Sequence, residues 1–295
     1  MFVELLYNDQ LRRFHFVRAP VRGMWVRLDR VWSDAIHGRP YPDAAKRLLG
    51  EMMATIVLIA NNIKHDGGVT LHAVGDGSIK TAFAECQGQD ALRGIIRLNE
   101  DDPQAIRDDM NFNELIGKSR MALTMQFKTG ESYQGLVNTD HETLEQNMEH
   151  YFENSEQLST TFALNTDEEA VTGCFLQRLP SADLASDLVL AHDEAEWLRL
   201  VSLFRTIRPG ELGSKDAEEM LLDLFPNDSI RLDHPKALRF ECSCDRDRCS
   251  NALKTISSDE LRELADENGG IQVTCEFCGT LYEYQAGDVT AGFSN

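Results

Sequence analysis

The sequence predicts an α+β fold: a mostly antiparallel sheet domain with packed helices, then a helical linker and a small C-terminal four-cysteine module. Three observations carry this. Apolar residues alternate with period two in several runs before Pro180. After Pro180 the periodicity becomes helical, without an obvious sheet. Four of the 7 cysteines gather in two close pairs, Cys242-Ser243-Cys244 and Cys275-Glu276-Phe277-Cys278. The expected boundaries are 1–180 for the sheet domain, 181–238 for the linker, 239–285 for the module and 286–295 for a disordered tail.

Taken in order, Met24, Val26 and Leu28 alternate with Trp25, Arg27 and Asp29, as in a strand. The clearest helix follows Pro42, with Leu48, Leu49, Met52, Met53, Ile56, Ile59 and Ile63 on an apolar stripe. Asp66-Gly67-Gly68 stops it. Val69, Leu71 and Ala73 alternate up to a turn at Gly75-Asp76-Gly77, and Ile79, Thr81 and Phe83 alternate after it. That turn lacks the third glycine and following helix of a phosphate loop. Leu92, Ile96 and Leu98 mark a further strand; 99–113 reads as a surface loop; Met121 to Phe127 and Tyr133 to Val137 read as a strand pair.

Asp140 is read as the N-cap of a helix carrying Leu144, Met148, Tyr151 and Phe152, and strands follow at Leu158–Leu164 and Val171–Arg178. Cys86 and Cys174 fall in strand patterns and are expected to be buried, unreactive thiols. In the linker, Leu184, Leu188, Ala191, Ala195 and Leu198 form a stripe continued by Val201 and Phe204. Arg208-Pro209-Gly210 ends it, and a second helix, capped by Ser214, carries Met220, Leu221, Leu224 and Phe225. Both helices are expected to lean on a neighbouring domain, because packing supplies most helix stability. In the module a helical turn is expected over Cys249 to Ile256. A helix capped by Ser257 and Glu260 follows over Leu261–Leu264, then a strand over Ile271–Thr274 leading into the second cysteine pair.

Composition bounds the function. The hydrophobic share of 42% and charged share of 26% are those of a soluble globular protein. The net charge of -20 disfavours binding to nucleic acid or an anionic membrane. Much of the acidity lies between Asp140 and Glu196, where Arg178 is the one basic residue. That run is expected to be a solvated face. No signal peptide or membrane span is read, and seven cysteines without an export signal point to a reducing cytoplasm with metal or redox use.

Cys242, Cys244, Cys275 and Cys278 are the candidate site. Four thiolates from two turns surround one tetrahedral ion, and an all-sulfur set suits zinc or iron. With every position filled by protein, the metal is structural and not hydrolytic. The module is too short to fold well on its own core, and a structural zinc contributes about 10–16 kcal/mol in small zinc domains. Partners within each pair are close enough to form disulfides, which would expel the metal, so the module reads as a redox switch. Cys249 and His234 are nearby but fit neither pair.

The run Arg239-Phe240-Glu241-Cys242-Ser243-Cys244, with Cys275-Glu276-Phe277-Cys278-Gly279 and Tyr282, resembles the bacterial 33 kDa chaperonin family, heat-shock protein 33. Phe112-Asn113-Glu114-Leu115-Ile116-Gly117 and Tyr133-Gln134-Gly135 agree, and the resemblance spans nearly the whole chain. It implies a cytoplasmic, ATP-independent holdase with one Zn²⁺ per chain. It further implies that oxidation pairs Cys242 with Cys244 and Cys275 with Cys278 as zinc leaves. The linker then unfolds, unfolded client proteins bind and the oxidised chain forms a homodimer. Two other readings remain beside it: a thiol oxidoreductase using the C-x-x-C pair, and a zinc-ribbon nucleic-acid adaptor. The first lacks a strand-to-helix setting for the motif; the second must overcome the net charge.

Overall fold

A computed structural model describes residues 9–99, 106–180, 187–253, 256–257, 261, 263, 265 and 269–285. It divides into two compact units, Met1–Phe240 and Glu241–Asn295. Among the described residues no helix is long and apolar enough to cross a membrane.

The first unit begins with strands β1 (Gln10–Phe16) and β2 (Val21–Leu28), a short helix α1 (Arg30–Ile36) and the long helix α2 (Asp43–Asn62). Strands β3 (Gly68–Gly75), β4 (Ile79–Gln87) and β5 (Ala91–Leu98) follow, then α3 (Phe112–Ile116), β6 (Ser119–Gln126) and β7 (Ser132–Val137). Next come α4 (Leu144–Tyr151), a π-helical turn over Phe152–Glu156, β8 (Thr160–Thr166) and β9 (Val171–Arg178). Helices α5 (Asp187–Phe204), α6 (Pro209–Ser214) and α7 (Ala217–Leu224) precede three short strands, β10 (Ile230–Leu232), β11 (Lys236–Ala237) and β12 (Arg239–Phe240).

These strands form two sheets. One has the order β10-β1-β2-β9-β8, with β11 also on β1; the other runs β12-β5-β4-β3-β6-β7. Every pairing is antiparallel except β12 on β5, where Arg239 and Phe240 run alongside Ala91 and Leu92. The α+β class with antiparallel sheets is therefore what the structure has. The sequence pattern did not separate the two sheets, since alternation records a face and not a partner.

Helix α2 packs against β8 and β9 of one sheet and β3, β4 and β5 of the other. That explains why its apolar residues exceed a stripe: Met52, Met53, Ala54, Ile56, Val57, Leu58, Ile59 and Ala60 are all buried. A helix apolar all round is a buried helix. Burying each large aliphatic side chain contributes about 1.5–3 kcal/mol, so α2 is the main support of the unit. At the tight turn after β3, a Cβ on Gly75 or Gly77 would collide with the backbone around Ile116, whose carbonyl accepts from Gly77 N–H at 2.9 Å.

The first sheet is buried on both faces. Opposite α2, Phe14, Trp25, Cys174 and Leu176 meet Trp197, Leu200 and Phe204 of α5, and Met220 and Leu221 of α7. The buried face of α5 is not the predicted stripe. Ala191, Ala195 and Leu198 are exposed, Leu198 at 56%, while Trp197 and Leu200 face the sheet with Phe204. The aromatic rings remove more apolar area from water than the alanines do, and that decides the face. Leu184 lies outside the described residues, as does the burial of Leu188.

Other local expectations also shift. The 99–113 loop gives way to α3 at Phe112, started by a reciprocal cap between Asn111 and Glu114. Thr143, not Asp140, caps α4, its hydroxyl accepting from Gln146 N–H. Asp216, not Ser214, caps α7 through Glu219 N–H, and Pro209 opens α6 instead of only ending α5. Asx and hydroxyl residues compete for such positions, and backbone approach selects among them. The stretch after Pro180 also adds edge strands to both sheets.

The second unit contains α8 (Arg246–Leu253) and a hairpin of β13 (Gly270–Thr274) and β14 (Leu281–Gln285), paired from Gly270↔Gln285 to Thr274↔Leu281. Leu261, Glu263 and Ala265 are helical, and Leu261 N–H donates to Ser257 carbonyl at 3.0 Å. Glu260 and the 286–295 tail lie outside the described residues. Among the described residues the core of this unit is Leu253, Leu261, Ala265 and Tyr284, with Cys249, Ile271, Val273 and Tyr282 packed against them.

Candidate metal centre

The hairpin of the second unit presents one cysteine pair. Between β13 and β14 the chain turns through Cys275–Thr280, where Cys275 N–H donates to Thr280 carbonyl at 2.9 Å and Gly279 N–H to Cys275 carbonyl at 2.8 Å. Gly279 has φ 71°, a left-handed conformation that suits glycine. The turn therefore folds back on its own first residue and brings Cys278 beside Cys275.

The other pair lies on the extended segment before α8. Asp245 caps that helix, accepting from Arg248 N–H at 2.7 Å, and the Arg248 guanidinium donates to Ser243 carbonyl at 2.6 Å. Tyr284 hydroxyl donates to Arg246 carbonyl at 2.7 Å, while the Arg246 guanidinium sits 4.4 Å over the Tyr284 ring. These contacts fix the Cys242–Cys244 segment against the hairpin.

The four sulfurs consequently meet. All lie within 4.8 Å of one another. Cys242 Sγ is 3.7 Å from Cys275 Sγ, and Cys244 Sγ is 3.3 Å from Cys278 Sγ. Tetrahedral Zn–S bonds of about 2.3 Å place sulfurs roughly 3.8 Å apart, so these residues fit such an ion. No other group of three or more such side chains occurs among the described residues.

The surroundings polarise the sulfurs unequally. Burial pushes the Cys242 and Cys244 thiols up. Burial also acts on Cys278, but hydrogen bonds from the Thr280 hydroxyl and backbone outweigh it and bring that thiol down to about 7. Tyr282 hydroxyl lies 3.1 Å from Cys244 Sγ and Thr280 Oγ1 3.2 Å from Cys278 Sγ. Tyr282 belongs to the run that carries the family resemblance, but its hydroxyl contact and that of Thr280 are not legible in spacing alone. A hydroxyl residue two positions past the second cysteine, and an aromatic on the following strand, were the available signals.

The remaining candidates stand apart. Cys249 is outside the four-sulfur group and leans on the core of its unit; burial pushes its thiol up. His234 is exposed in the first unit. Cys86 and Cys174 are fully buried, and burial pushes the Cys86 thiol up to about 12 and Cys174 higher still. Thiols so shifted are poor nucleophiles.

Comparison with known proteins gives the lineage. The Hsp33 protein family profile matches residues 9–285. The 33 kDa chaperonin of Mannheimia succiniciproducens is 34% identical over 280 residues, covering 93% of this chain and 91% of the relative. That of Shewanella frigidimarina is 34% identical over 287 residues, covering 97% and 96%. Among solved structures, a crystal structure of a 33 kDa chaperonin (heat shock protein 33 homolog) from Thermotoga maritima matches with a TM-score of 0.79. It covers 97% of this chain and 98% of that one at 17% identity, which speaks to the fold. With a family profile matching almost end to end and relatives of this identity, the chain belongs to the Hsp33 protein family.

Proposed function

We propose that this chain is a redox-regulated, ATP-independent holdase chaperone of the cytoplasm, not an enzyme, whose zinc ligands are also its oxidant sensor. The observation that carries the reading is four cysteine sulfurs within 4.8 Å of one another. Membership of a chaperone family and the names of the relatives support it.

Cys242, Cys244, Cys275 and Cys278 would hold the ion. When bound, zinc supplies the positive charge that keeps four adjacent thiols as thiolates. Thiolates are the oxidisable form. In this reading Cys242 pairs with Cys244 and Cys275 with Cys278. Each pair of thiolates gives two electrons to one hydrogen peroxide, an S–S bond forms as the O–O bond breaks, and two protons from solvent complete two waters. Disulfide sulfurs are neutral and no longer hold a cation.

A module as short as 239–285 does not hold itself folded on an apolar core alone, so loss of the ion would unfold it. Unfolding then reaches Phe240, two residues before Cys242, and β12 is only two residues long. Loss of that edge and of α5–α7, the core of the proposed 181–238 linker, would uncover Phe14, Trp25 and Leu176 for unfolding client proteins. The 1–180 sheet domain stays folded, and the oxidised form is assigned as a homodimer. The net charge of -20 argues against nucleic acid or membrane as partners.

The test measures zinc, free thiols and suppression of client aggregation on the same samples, before and after hydrogen peroxide under mild heat. About one zinc released per chain, with loss of the four thiols and gain of suppression, is the expected result. Zinc release without suppression sinks the holdase reading. Zinc retained throughout sinks the switch.

A further inference from the structure

A cleft of about 530 Å³ opens on the first unit where β1 and β2 meet the end of α2. Its rim is basic in a strongly acidic chain: Arg13, Arg22 and Lys64 line it, with Asp233 as its one carboxylate. Among the described residues none of these three cations is in an ion pair, whereas Arg12, Arg27, Arg93 and Arg199 each have a carboxylate.

The cations are instead held on neutral oxygens. Arg22 Nη2 and Nε donate to Gln177 Oε1 at 2.7 and 3.3 Å, and the same oxygen accepts from Asn62 Nδ2 at 3.1 Å. One amide oxygen thus serves a guanidinium that has five donors. Behind the wall, Lys236 Nζ donates to Asn61 Oδ1 at 3.0 Å and Gln89 Oε1 at 2.8 Å, both residues of the cleft. Burial and the neighbouring Arg13 charge lower the proton affinity of both Arg22 and Lys236. Such a concentration of positive charge is destabilising until an anion arrives.

Helix capping accounts for part of this. Arg13 Nη2 donates to Asn61 carbonyl at 2.8 Å and His65 Nε2 bonds Ala60 carbonyl at 2.9 Å, both at the negative end of α2. It does not account for Arg22 or Lys64. Asn62 Oδ1 and His65 Nδ1 are buried without a partner, but both are acceptors while His65 Nε2 donates to Ala60, so they add nothing for an anion and the cations alone carry the site. Phe14, Met24 and Leu179 add an apolar side.

The geometry points to a binding site for a small phosphate-bearing anion, held by Arg22, Arg13 and Lys64. Two guanidiniums and an ammonium match the oxygens of a diphosphate, since planar forks bind phosphate bidentately. The site is independent of the sulfur cluster and of the reading given to it.

Isothermal titration of the reduced, zinc-loaded full chain with sodium pyrophosphate, at fixed ionic strength, tests it. One saturable site per chain is expected. Arg22→Gln should weaken it roughly tenfold or more. Lys64→Gln, at an exposed position, should weaken it by a smaller factor, and Asp233→Asn should tighten it. Citrate at matched charge should bind less well. ADP tighter than pyrophosphate would assign the apolar side to a base, and equal binding would favour an inorganic ligand; either supports the site. Heats that do not saturate, an affinity untouched by the Arg22 and Lys64 changes, or citrate binding as tightly as pyrophosphate would overturn it.

Discussion

The hydroxyl of Tyr282 lies 3.1 Å from the sulfur of Cys244, and it reaches there because β14 pairs Tyr282 with Val273 across the hairpin. A donor on a thiolate draws off charge and slows its attack on an oxidant. Tyr282→Phe should therefore keep its zinc but react with peroxide roughly two- to tenfold faster, the factor of one ordinary hydrogen bond. Stopped-flow zinc release with a chromogenic chelator reads the rate. Equal rates in the two proteins would remove Tyr282 from the mechanism.

Replacing one member of the sulfur cluster should abolish stable zinc binding, whereas replacing the neighbouring thiol should not. Cys278→Ser is expected to lose affinity by well over the roughly 10–100-fold that a missing supporting contact costs. Cys249→Ser is expected to hold one full equivalent. Metal analysis after dialysis distinguishes them. Zinc lost from Cys249→Ser would reassign the ligand set.

Trp197 and Leu198 are neighbours on α5 with opposite environments, 7% and 56% exposed. Trp197→Ala should cost about 3–5 kcal/mol and loosen α5 from the sheet. It should then bind a hydrophobic dye and suppress client aggregation without oxidant. Leu198→Ala should change stability by less than about 0.5 kcal/mol. Chemical denaturation followed by tryptophan fluorescence and dye binding supplies the comparison. Equal effects at the two positions would refute the face assignment.

Glu51 lies on α2, 3.9 Å from Arg47. Burial first, then the charge of Glu145, pushes its carboxyl up to about 8, against the pull of Arg47. Burial pushes Glu145 up as well, and the Glu149 charge adds to it. Because the folded chain holds this proton more tightly than the unfolded one, stability should fall as pH rises from about 4.5 through 8. Glu51→Gln should flatten that decline and exceed the wild type at pH 8 by about 1 kcal/mol or more. The side chain keeps 18% exposure, so the sign of the difference is the decisive reading. Melting curves from pH 5 to 8 measure it, and parallel curves would count against a protonated Glu51.

Much of this molecule was legible in the residues themselves. Period-two runs marked β2, β3, β4 and β6, α2 announced itself by its apolar content, and the two cysteine pairs singled out the candidate site. Such features are local: a strand alternates, a helix repeats and a knuckle keeps its cysteines close whatever lies opposite. Tertiary structure decided what depends on partners distant in sequence. Whether Trp25 faces solvent or α5, whether Thr143 or Asp140 caps α4, and which side of α5 is buried turn on the apolar area and backbone groups that other segments bring near. The meeting of Cys244 with Cys278 and Tyr282 is of the same kind. It follows from the register of one hairpin against an extended segment, and a sequence records spacing without recording register.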